Sequence, residues 1–217
     1  MILVDDRAGS APFAKRLSAC GIPTSLCRLT YGDFAFSGKG VGGADILIGI
    51  EHKTLSDLIA SIRSGRLTGN REDGTPGQLP GMSSDYDEVW LMVEGVWRSN
   101  ERGQILSYRH QGKVSQWSPV PGGMSATELD KHLLTFQLVG GVYLWPTRDP
   151  DHSTRAIGNL YHWATDKARD QHSSHIAPAR AKTGWLTETP EQTALRAWPG
   201  VGSKVARAAE KRFGTVL

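Results

Sequence analysis

The chain has 217 residues, which is enough for one complete hydrophobic core and a small additional unit. Hydrophobic residues make up 39% and charged residues 22% of the sequence, as is usual for globular proteins, and the net charge of +3 is too small to indicate nucleic-acid binding by itself. The apolar runs are too short to cross a bilayer, and Asp5, Asp6 and Arg7 interrupt the first of them, so we expect neither a transmembrane helix nor a secretory signal.

The first part of the chain alternates predicted strands and helices. Ser10 followed by Pro12 predicts the capped start of a helix that ends at Gly21. A second helix is predicted over 54–65, where four apolar residues recur at the spacing of one helix face. Strands are predicted over 1–4, 24–29, 33–36 and 45–53.

The later part continues the alternation with interruptions. Residues 67–86 are rich in Gly, Pro, Asp and Ser, which predicts a mobile loop. Residues 170–189 are polar without periodicity, which predicts a linker, and the helix-like segments 190–197 and 203–212 follow it. Between these lie a strand at 89–93, an inserted hairpin at 103–120, a helix at 126–138, a strand at 141–145 and a helix around 157–164. This order predicts an α/β body followed by a small helical unit.

The cysteine content bears on the cellular compartment. Cys20 and Cys27 are the only cysteines, and they have no partners at zinc-site spacing. A reducing compartment is therefore expected. This means the cytoplasm or nucleoid for a prokaryotic or virus-encoded protein and the nucleus for a eukaryotic one.

Glu51 and Lys53 form the most informative local pattern. They lie two residues apart in a predicted strand, so both side chains are expected on one face and His52 on the other. A carboxylate binds a hard divalent cation, and an ammonium orients or stabilises the oxygen that attacks a phosphodiester. One carboxylate is a poor magnesium site, so a second is expected from Asp33, at the start of the preceding strand, with Asp5 as a further candidate.

Each of these residues also has a purely structural interpretation. A Glu-x-Lys pair in a strand is commonly a surface ion pair, and an aspartate such as Asp33 is commonly a turn residue. Thr54-x-x-Asp57 is typical of a capping box, and we prefer that role to catalysis for Asp57. Arg66 is by default a solvated charge at a helix end.

Four spaced elements carry a resemblance to a known family. They are Val4-Asp5-x-Arg7, Gly32-Asp33-Phe34, Ile50-Glu51-His52-Lys53-x-x-x-Asp57 and Ser64-Gly65-Arg66-Leu67. Together they resemble the nuclease domain of XPF-type structure-specific endonucleases, whose signature is Gly-Asp, a variable gap and Glu-Arg-Lys-x-x-x-Asp. The resemblance covers roughly residues 1–170.

The resemblance implies a restriction-endonuclease-like core and assigns roles within it. Asp33 and Glu51 would be ligands of Mg²⁺ or Mn²⁺, and Lys53 would be the catalytic lysine. Asp5 would be an additional acidic residue of the active site and a third candidate metal ligand. Supporting roles near the scissile phosphate fall on Arg7, His52, Asp57 and Arg66.

Two positions depart from the family pattern. His52 stands where the family has Arg, and Ala8 stands where many members have Glu after Val-Asp-x-Arg. Without the arginine, a permanently charged guanidinium that could donate two hydrogen bonds to the phosphate is lost. His52 would replace it when protonated, or would contribute only its backbone carbonyl to the metal. Because Asp33, Glu51 and Lys53 are all present, we expect an active enzyme.

The segment from Leu195 to Phe213 resembles a helix-hairpin-helix element. Glycines allow the backbone to approach DNA closely, and amides at the start of the second helix bind a phosphate. The alternative is a simple αα-hairpin in which Pro and Gly only form the turn and bind no phosphate. The expected DNA-binding residues are Gly200, Val201, Gly202 and Lys204.

These patterns together predict three parts and one activity. The parts are a nuclease domain at 1–169, a linker at 170–189 and a helix-hairpin-helix element at 190–217. The expected activity is metal-dependent hydrolysis of DNA phosphodiester bonds at branched, flap or single-strand/double-strand junctions. The family usually carries two helix-hairpin-helix elements and dimerises, so a homo- or heterodimer is expected. The alternatives are an inactive DNA-binding scaffold subunit and a sequence-specific restriction-type endonuclease. No role is predicted for the insert at 98–125.

Overall fold

A computed structural model describes residues 1–69, 74–111, 114–172, 189, 192, 194–195, 198 and 203–213, with the backbone alone at 109–111, 114, 203, 204, 207 and 213. By its internal contacts the chain divides into two units, Met1–His172 and Ser173–Leu217. Within the described residues no helix is long and apolar enough to span a membrane.

In the part of the first unit that the structure describes, the strands form two β-sheets. Across its described residues the strands are β1 (Ile2–Asp5), β2 (Thr24–Cys27), β3 (Phe34–Lys39), β4 (Asp45–Thr54), β5 (Glu88–Glu94), β6 (Trp97–Ser99), β7 (Ile105–Gln111), β8 (Val114–Pro119) and β9 (Tyr143–Thr147). The central sheet has the order β2-β1-β3-β4-β5-β9, and β6, β7 and β8 form a separate antiparallel sheet. Only β3 runs against its neighbours in the central sheet.

Helices cover both faces of the central sheet. They are α1 (Ala11–Ala19), α2 (Leu55–Arg63), α3 (Gln78–Asp85), α4 (Ala126–Leu138) and α5 (Pro150–Asp166). Apolar residues of α1 and α5 are buried against one face, and those of α2, α3 and α4 are buried against the other. The predicted α/β body is confirmed, with two hydrophobic cores separated by the sheet.

The alternation along β4 places polar side chains inside this body. Ile48 and Ile50 are buried in the α1/α5 core. Glu51 and Lys53 therefore have the opposite parity to these two residues, and both are also buried. Because β1, β4 and β5 run parallel and β3 runs antiparallel, the last residues of β4 and the residue preceding β3 meet at one end of the sheet.

The predicted strands at 1–4, 24–29, 33–36, 45–53, 89–93 and 141–145 are confirmed with shifted ends, and the helix at 126–138 has the predicted bounds. The first helix is confirmed as well, but Ser10 makes no side-chain capping hydrogen bond. The capping box on α2 is confirmed, since Asp57 N donates to Thr54 Oγ1 at 3.3 Å and Thr54 Oγ1 donates to Asp57 Oδ2 at 2.7 Å.

The mobile loop predicted at 67–86 is wrong for 78–85, which form α3. Pro80 lies in the first turn, where backbone N–H groups have no partner within the helix. Gly81 lies against Tyr31, and a Cβ there would approach the ring to 2.3 Å. Leu79 and Met82 are buried in the α2/α3/α4 core. Tertiary packing thus selects a helix that local composition disfavours.

The insert forms the β6–β8 sheet, so the predicted hairpin is confirmed and gains a third strand. Ile105 on β7 is buried, and Trp97 on β6 packs against the α2/α3/α4 core. The inner face of this small sheet is thereby fixed to the body.

The second unit contains α6 (Ser203–Phe213), which confirms the helix predicted at 203–212. Thr189 Oγ1 donates to Glu210 Oε1 at 2.7 Å, and Gln192 Nε2 donates to Glu210 Oε2. Ala206 is fully buried. These contacts hold Thr189 and Gln192 against α6.

Candidate active site

The predicted catalytic residues meet at one end of the central sheet. Asp5 ends β1, Asp33 precedes β3, and Glu51 and Lys53 lie near the end of β4. All four line a cavity of about 230 Å³. Arg7 and Arg66 line it too, so acidic and basic side chains face one small volume.

Glu51 and Lys53 form a buried ion pair. Lys53 Nζ lies 2.8 Å from Glu51 Oε1, so the prediction that the two side chains share a face is confirmed. Gln78 on α3 donates from Nε2 to the same oxygen at 2.7 Å. Burial and the negative charge of Asp33 raise the pKa of Glu51 to about 6, although Lys53 and Arg66 act in the opposite direction.

Asp33 is positioned by backbone geometry on both sides. Gly32 precedes it with φ +82°, in the left-handed region that a glycine adopts without strain. The amide of Asp33 donates to Ile50 O at 2.8 Å, and the amide of His52 donates to Asp33 Oδ2 at 2.7 Å. Ser10 Oγ donates to the other carboxylate oxygen. Asp33 is thus fixed between the start of α1 and the end of β4.

Asp5 is fully buried, and both of its carboxylate oxygens have donors. Leu29 N donates to Oδ1 at 3.0 Å, while Arg7 donates to Oδ2 from Nε and from its amide. Burial opposes ionisation, but these hydrogen bonds outweigh it and hold the pKa of Asp5 below its ordinary value. The pair with Asp5 also fixes the half-exposed Arg7 beside the cavity.

Arg66 and Asp57 have different surroundings. Arg66 follows α2, donates to Ser61 Oγ at 3.0 Å and lines the cavity, close enough to lower the pKa of Glu51 by its charge. Asp57 makes the α2 capping box with Thr54 and does not line the cavity. The preferred structural role of Asp57 is therefore confirmed.

A family model described as the ERCC4 domain matches residues 4–160. The chain belongs to the ERCC4 domain family. The match spans every cavity residue from Asp5 to Gln78, and this membership supports a DNA endonuclease of the XPF type. A second family model, hepatitis C virus capsid protein, matches residues 131–213, which is less than half of the chain and carries no assignment. No curated protein matches the chain.

Solved structures share the fold of this ERCC4-domain protein. XPF from Aeropyrum pernix aligns with a TM-score of 0.51 and 22% identity, covering 99% of this chain and 83% of that chain. The same protein in complex with DNA aligns with a TM-score of 0.52 and 22% identity, covering 99% and 82%. The predicted α/β nuclease fold is thereby confirmed.

His52, where the ERCC4 family signature has Arg, directs its ring away from Glu51 and Lys53. The ring packs edge-on against Phe13 of α1, with centroids 5.0 Å apart. His52 Nε2 lies 3.1 Å from Glu94 Oε2, which also accepts from Ser153 Oγ at 2.7 Å. Burial opposes ionisation of Glu94, but its bonds to His52 and Ser153 prevail and lower its pKa. The part of His52 that reaches Asp33 is the backbone amide.

Two residues of this ERCC4-domain site did not emerge from the sequence. Gln78 lies in the segment predicted as a loop, and Ser10 was interpreted as a helix cap. Ser10 instead gives its hydroxyl to Asp33. The only sequence signal for Gln78 was its position within the Gly- and Pro-rich segment that follows Arg66.

The predicted DNA-binding residues fall in the second unit. Gly200, Val201 and Gly202 lie outside the described residues. Lys204 belongs to the first turn of α6, where the structure describes only its backbone. The division into 1–169, 170–189 and 190–217 stays a prediction for the same reason.

Proposed function

We propose that this ERCC4-domain protein is a metal-dependent endonuclease that hydrolyses phosphodiester bonds in DNA at branched, flap or single-strand/double-strand junctions. The observation that carries the proposal is the shared cavity of Asp33, Glu51 and Lys53. Two carboxylates face this cavity of about 230 Å³ together with one buried ammonium. This is the residue chemistry that phosphodiester hydrolysis requires.

The residues present fit a hard divalent cation. Burial and the negative charge of Asp33 raise the pKa of Glu51 to about 6, and a bound cation would offset the repulsion between the two carboxylates. Gln78 Oε1 is a buried acceptor that receives no hydrogen bond from the described residues. A water molecule bound to a hydrated cation would supply the missing donor. In the described part of the chain no three His, Cys, Asp or Glu side chains cluster as a complete metal site. Mg²⁺ commonly uses one or two carboxylates and keeps several waters, so Asp33 and Glu51 suffice.

Each side chain then has a distinct task. Asp33 and Glu51 would hold Mg²⁺ or Mn²⁺, which when bound supplies a Lewis acid that lowers the pKa of water and stabilises negative charge on phosphate. Lys53 offers its ammonium to the attacking oxygen or to the charge that develops on the phosphate. Asp5 orients Arg7 beside the cavity, and its Oδ1, which accepts one hydrogen bond, would be its remaining position for a metal ion. Arg66 adds a second cation.

Binding of the duplex is proposed for the second unit. Amides at Gly200, Val201 and Gly202, with Lys204, would contact the phosphate backbone without selecting a base sequence. A dimer, formed with a second copy or a related chain, would place two DNA-binding elements on one substrate. Light scattering of the purified chain measures whether it is a monomer or a dimer.

A cleavage panel tests the proposal. Labelled blunt duplex, splayed-arm, 3′-flap and four-way-junction DNAs with the same arm sequences are incubated with the full chain in EDTA, Mg²⁺ or Mn²⁺. We expect cuts near the branch point with metal and none in EDTA. Asp33→Asn should abolish cutting, and the matched control Asp130→Asn, an exposed aspartate on α4, should cut normally.

The same panel separates the alternatives. If the chain binds every DNA but cuts none with either metal, it is a scaffold subunit and the proposal is wrong. If cutting follows the arm sequence when the arms are exchanged between substrates, the enzyme is of the restriction type. Cuts that stay at the branch point after the exchange support the proposal.

A further inference from the structure

The outer face of the β6–β8 sheet carries an aromatic and cationic cluster that the proposed catalytic mechanism does not use. Tyr108 and Trp117 lie opposite each other on β7 and β8, with ring centroids 5.3 Å apart. The guanidinium carbon of Arg98 on β6 lies 4.3 Å from the centroid of Trp117. Tyr108 is 45% exposed, Arg98 is exposed and Trp117 is half-buried. We call these three residues the insert cluster.

The insert cluster is not explained by packing. The opposite face of the same sheet provides the packing, through Ile105 and Trp97. Covering the exposed parts of these rings would release free energy in proportion to the apolar area removed from water. A stable fold requires only one apolar face on a small antiparallel sheet. The second apolar face therefore indicates a binding surface.

The charge of the segment indicates the kind of partner. Residues 96–120 carry four Lys and Arg against one Glu, a surplus as large as the net charge of +3 of the whole chain. A partner that offers flat apolar faces and repeated negative charge matches such a surface. Unpaired nucleotides have both, since bases stack on aromatic rings and phosphates pair with cations. In a duplex the bases are stacked on each other, and rings on a flat sheet cannot reach them.

The insert lies at the same end of the central sheet as the candidate active site. β6 begins three residues after β5 ends. Ser107 and Val120 of the insert segment line a cavity of about 360 Å³ together with Thr54 and Glu94, the last residues of β4 and β5. Glu51 and Lys53 precede Thr54 on β4. The insert therefore borders the end of the sheet at which a DNA strand leaves the candidate active site.

We propose that the insert cluster binds single-stranded DNA, by stacking unpaired bases on Tyr108 and Trp117 and pairing a phosphate with Arg98. This inference rests on the proposed function in that it names the substrate part that a junction nuclease would bind beside its active site. It gives the insert the task of recognising the unpaired arm of a branched substrate.

Binding in EDTA tests the inference separately from cleavage. Fluorescence anisotropy measures the Kd of the full chain for 5′-fluorescein dT20 and for a blunt 20-base-pair duplex. Tyr108→Ala should weaken dT20 binding by about 5- to 100-fold, the range for loss of one base stack, and change duplex binding less than about two-fold. Arg98→Gln should lower the slope of log Kd against log salt for dT20 by about 0.7.

Two matched variants distinguish a loss of the binding contact from a general loss of stability. Tyr143→Ala removes a tyrosine of nearly equal exposure, 44%, from β9 and should bind dT20 normally. Tyr108→Phe keeps the ring and should retain affinity. The inference is overturned if Tyr108→Ala binds dT20 like the wild type, if both tyrosine-to-alanine variants lose the same affinity, or if Tyr108→Ala weakens dT20 and duplex equally.

The outcomes also separate this inference from the proposed function. A chain that cuts no DNA but binds dT20 through Tyr108 refutes the endonuclease and supports the insert cluster. If the chain cuts branched DNA and Tyr108→Ala leaves dT20 binding unchanged, the endonuclease is supported and the role of the insert cluster is refuted.

Discussion

Lys53 Nζ lies 2.8 Å from Glu51 Oε1, and only 5% and 3% of these two side chains are exposed. A buried ion pair costs desolvation energy that its own attraction offsets only in part. The pKa of Glu51 is raised to about 6 in spite of Lys53, because burial and the charge of Asp33 prevail. The ion pair therefore does not neutralise the site. The repulsion between Glu51 and Asp33 remains, and a bound cation would offset it.

The first prediction concerns the titration of Glu51 in the protein without metal. Its carboxyl carbon, followed by ¹³C NMR, should titrate near pH 6, and Asp33→Asn should lower that value because one neighbouring negative charge is gone. A midpoint near the ordinary 4.5 in the wild type would contradict the burial and the proximity described for this pair.

The second prediction follows by linkage. A carboxyl whose pKa is higher in the folded state than in the unfolded state binds its proton more tightly when folded, so folding loses stability as the pH rises from about 4.5 to above 6. The expected loss from Glu51 is on the order of 2 kcal/mol. Urea denaturation should show the stability of Glu51→Gln rising relative to the wild type by about this amount between pH 4.5 and pH 7. A constant difference across that range would contradict it.

The third prediction concerns Lys53. Lys53→Met should lower the single-turnover rate of DNA cleavage by about 100- to 1000-fold, because one preorganised positive group at the reacting phosphate is lost. Lys131→Met removes an exposed lysine of α4 and should cut at the wild-type rate. Equal rates for Lys53→Met and the wild type would exclude Lys53 from the chemistry.

The fourth prediction concerns His52, where the family has arginine. Its amide donates to Asp33 and its ring contacts Glu94 on the other face, so His52→Ala keeps the first contact and loses the second. We expect a cleavage rate within about ten-fold of the wild type and a loss of stability of about 1–3 kcal/mol, because the ring's contacts with Glu94 and Phe13 are lost while Ser153 still donates to Glu94. A folded His52→Ala variant that is as inactive as Asp33→Asn would show instead that the ring takes part in catalysis.

The sequence predicts those parts of the fold that local patterns determine. Alternation placed Glu51 and Lys53 on one face of β4, and helical spacing located α2 with its capping box at Thr54. The expectation that Asp33 supplies a second carboxylate is met by the pairing of β3 with β4, which places Asp33 beside Glu51.

The parts that could not be predicted depend on contacts distant in sequence. In α3, Gly81 lies against Tyr31 while Leu79 and Met82 are buried in the core, and no local preference of its Pro- and Gly-containing sequence indicates these contacts. Gln78 therefore reaches Glu51 through a helix that composition argued against. Ser10 was expected to cap α1, and the approach of Asp33, 23 residues later, gives its hydroxyl another acceptor.

The most direct test of the account is the single-turnover cleavage rate of a 3′-flap DNA by the wild type and by Glu51→Gln, in Mg²⁺ or Mn²⁺ and in EDTA. Gln keeps the shape of the side chain and removes its charge. If Glu51 holds the metal, the wild type cuts only with metal, Glu51→Gln cuts at least about 1000-fold more slowly, and Asp130→Asn cuts like the wild type. Cleavage by Glu51→Gln at the wild-type rate, or by the wild type in EDTA, would contradict it.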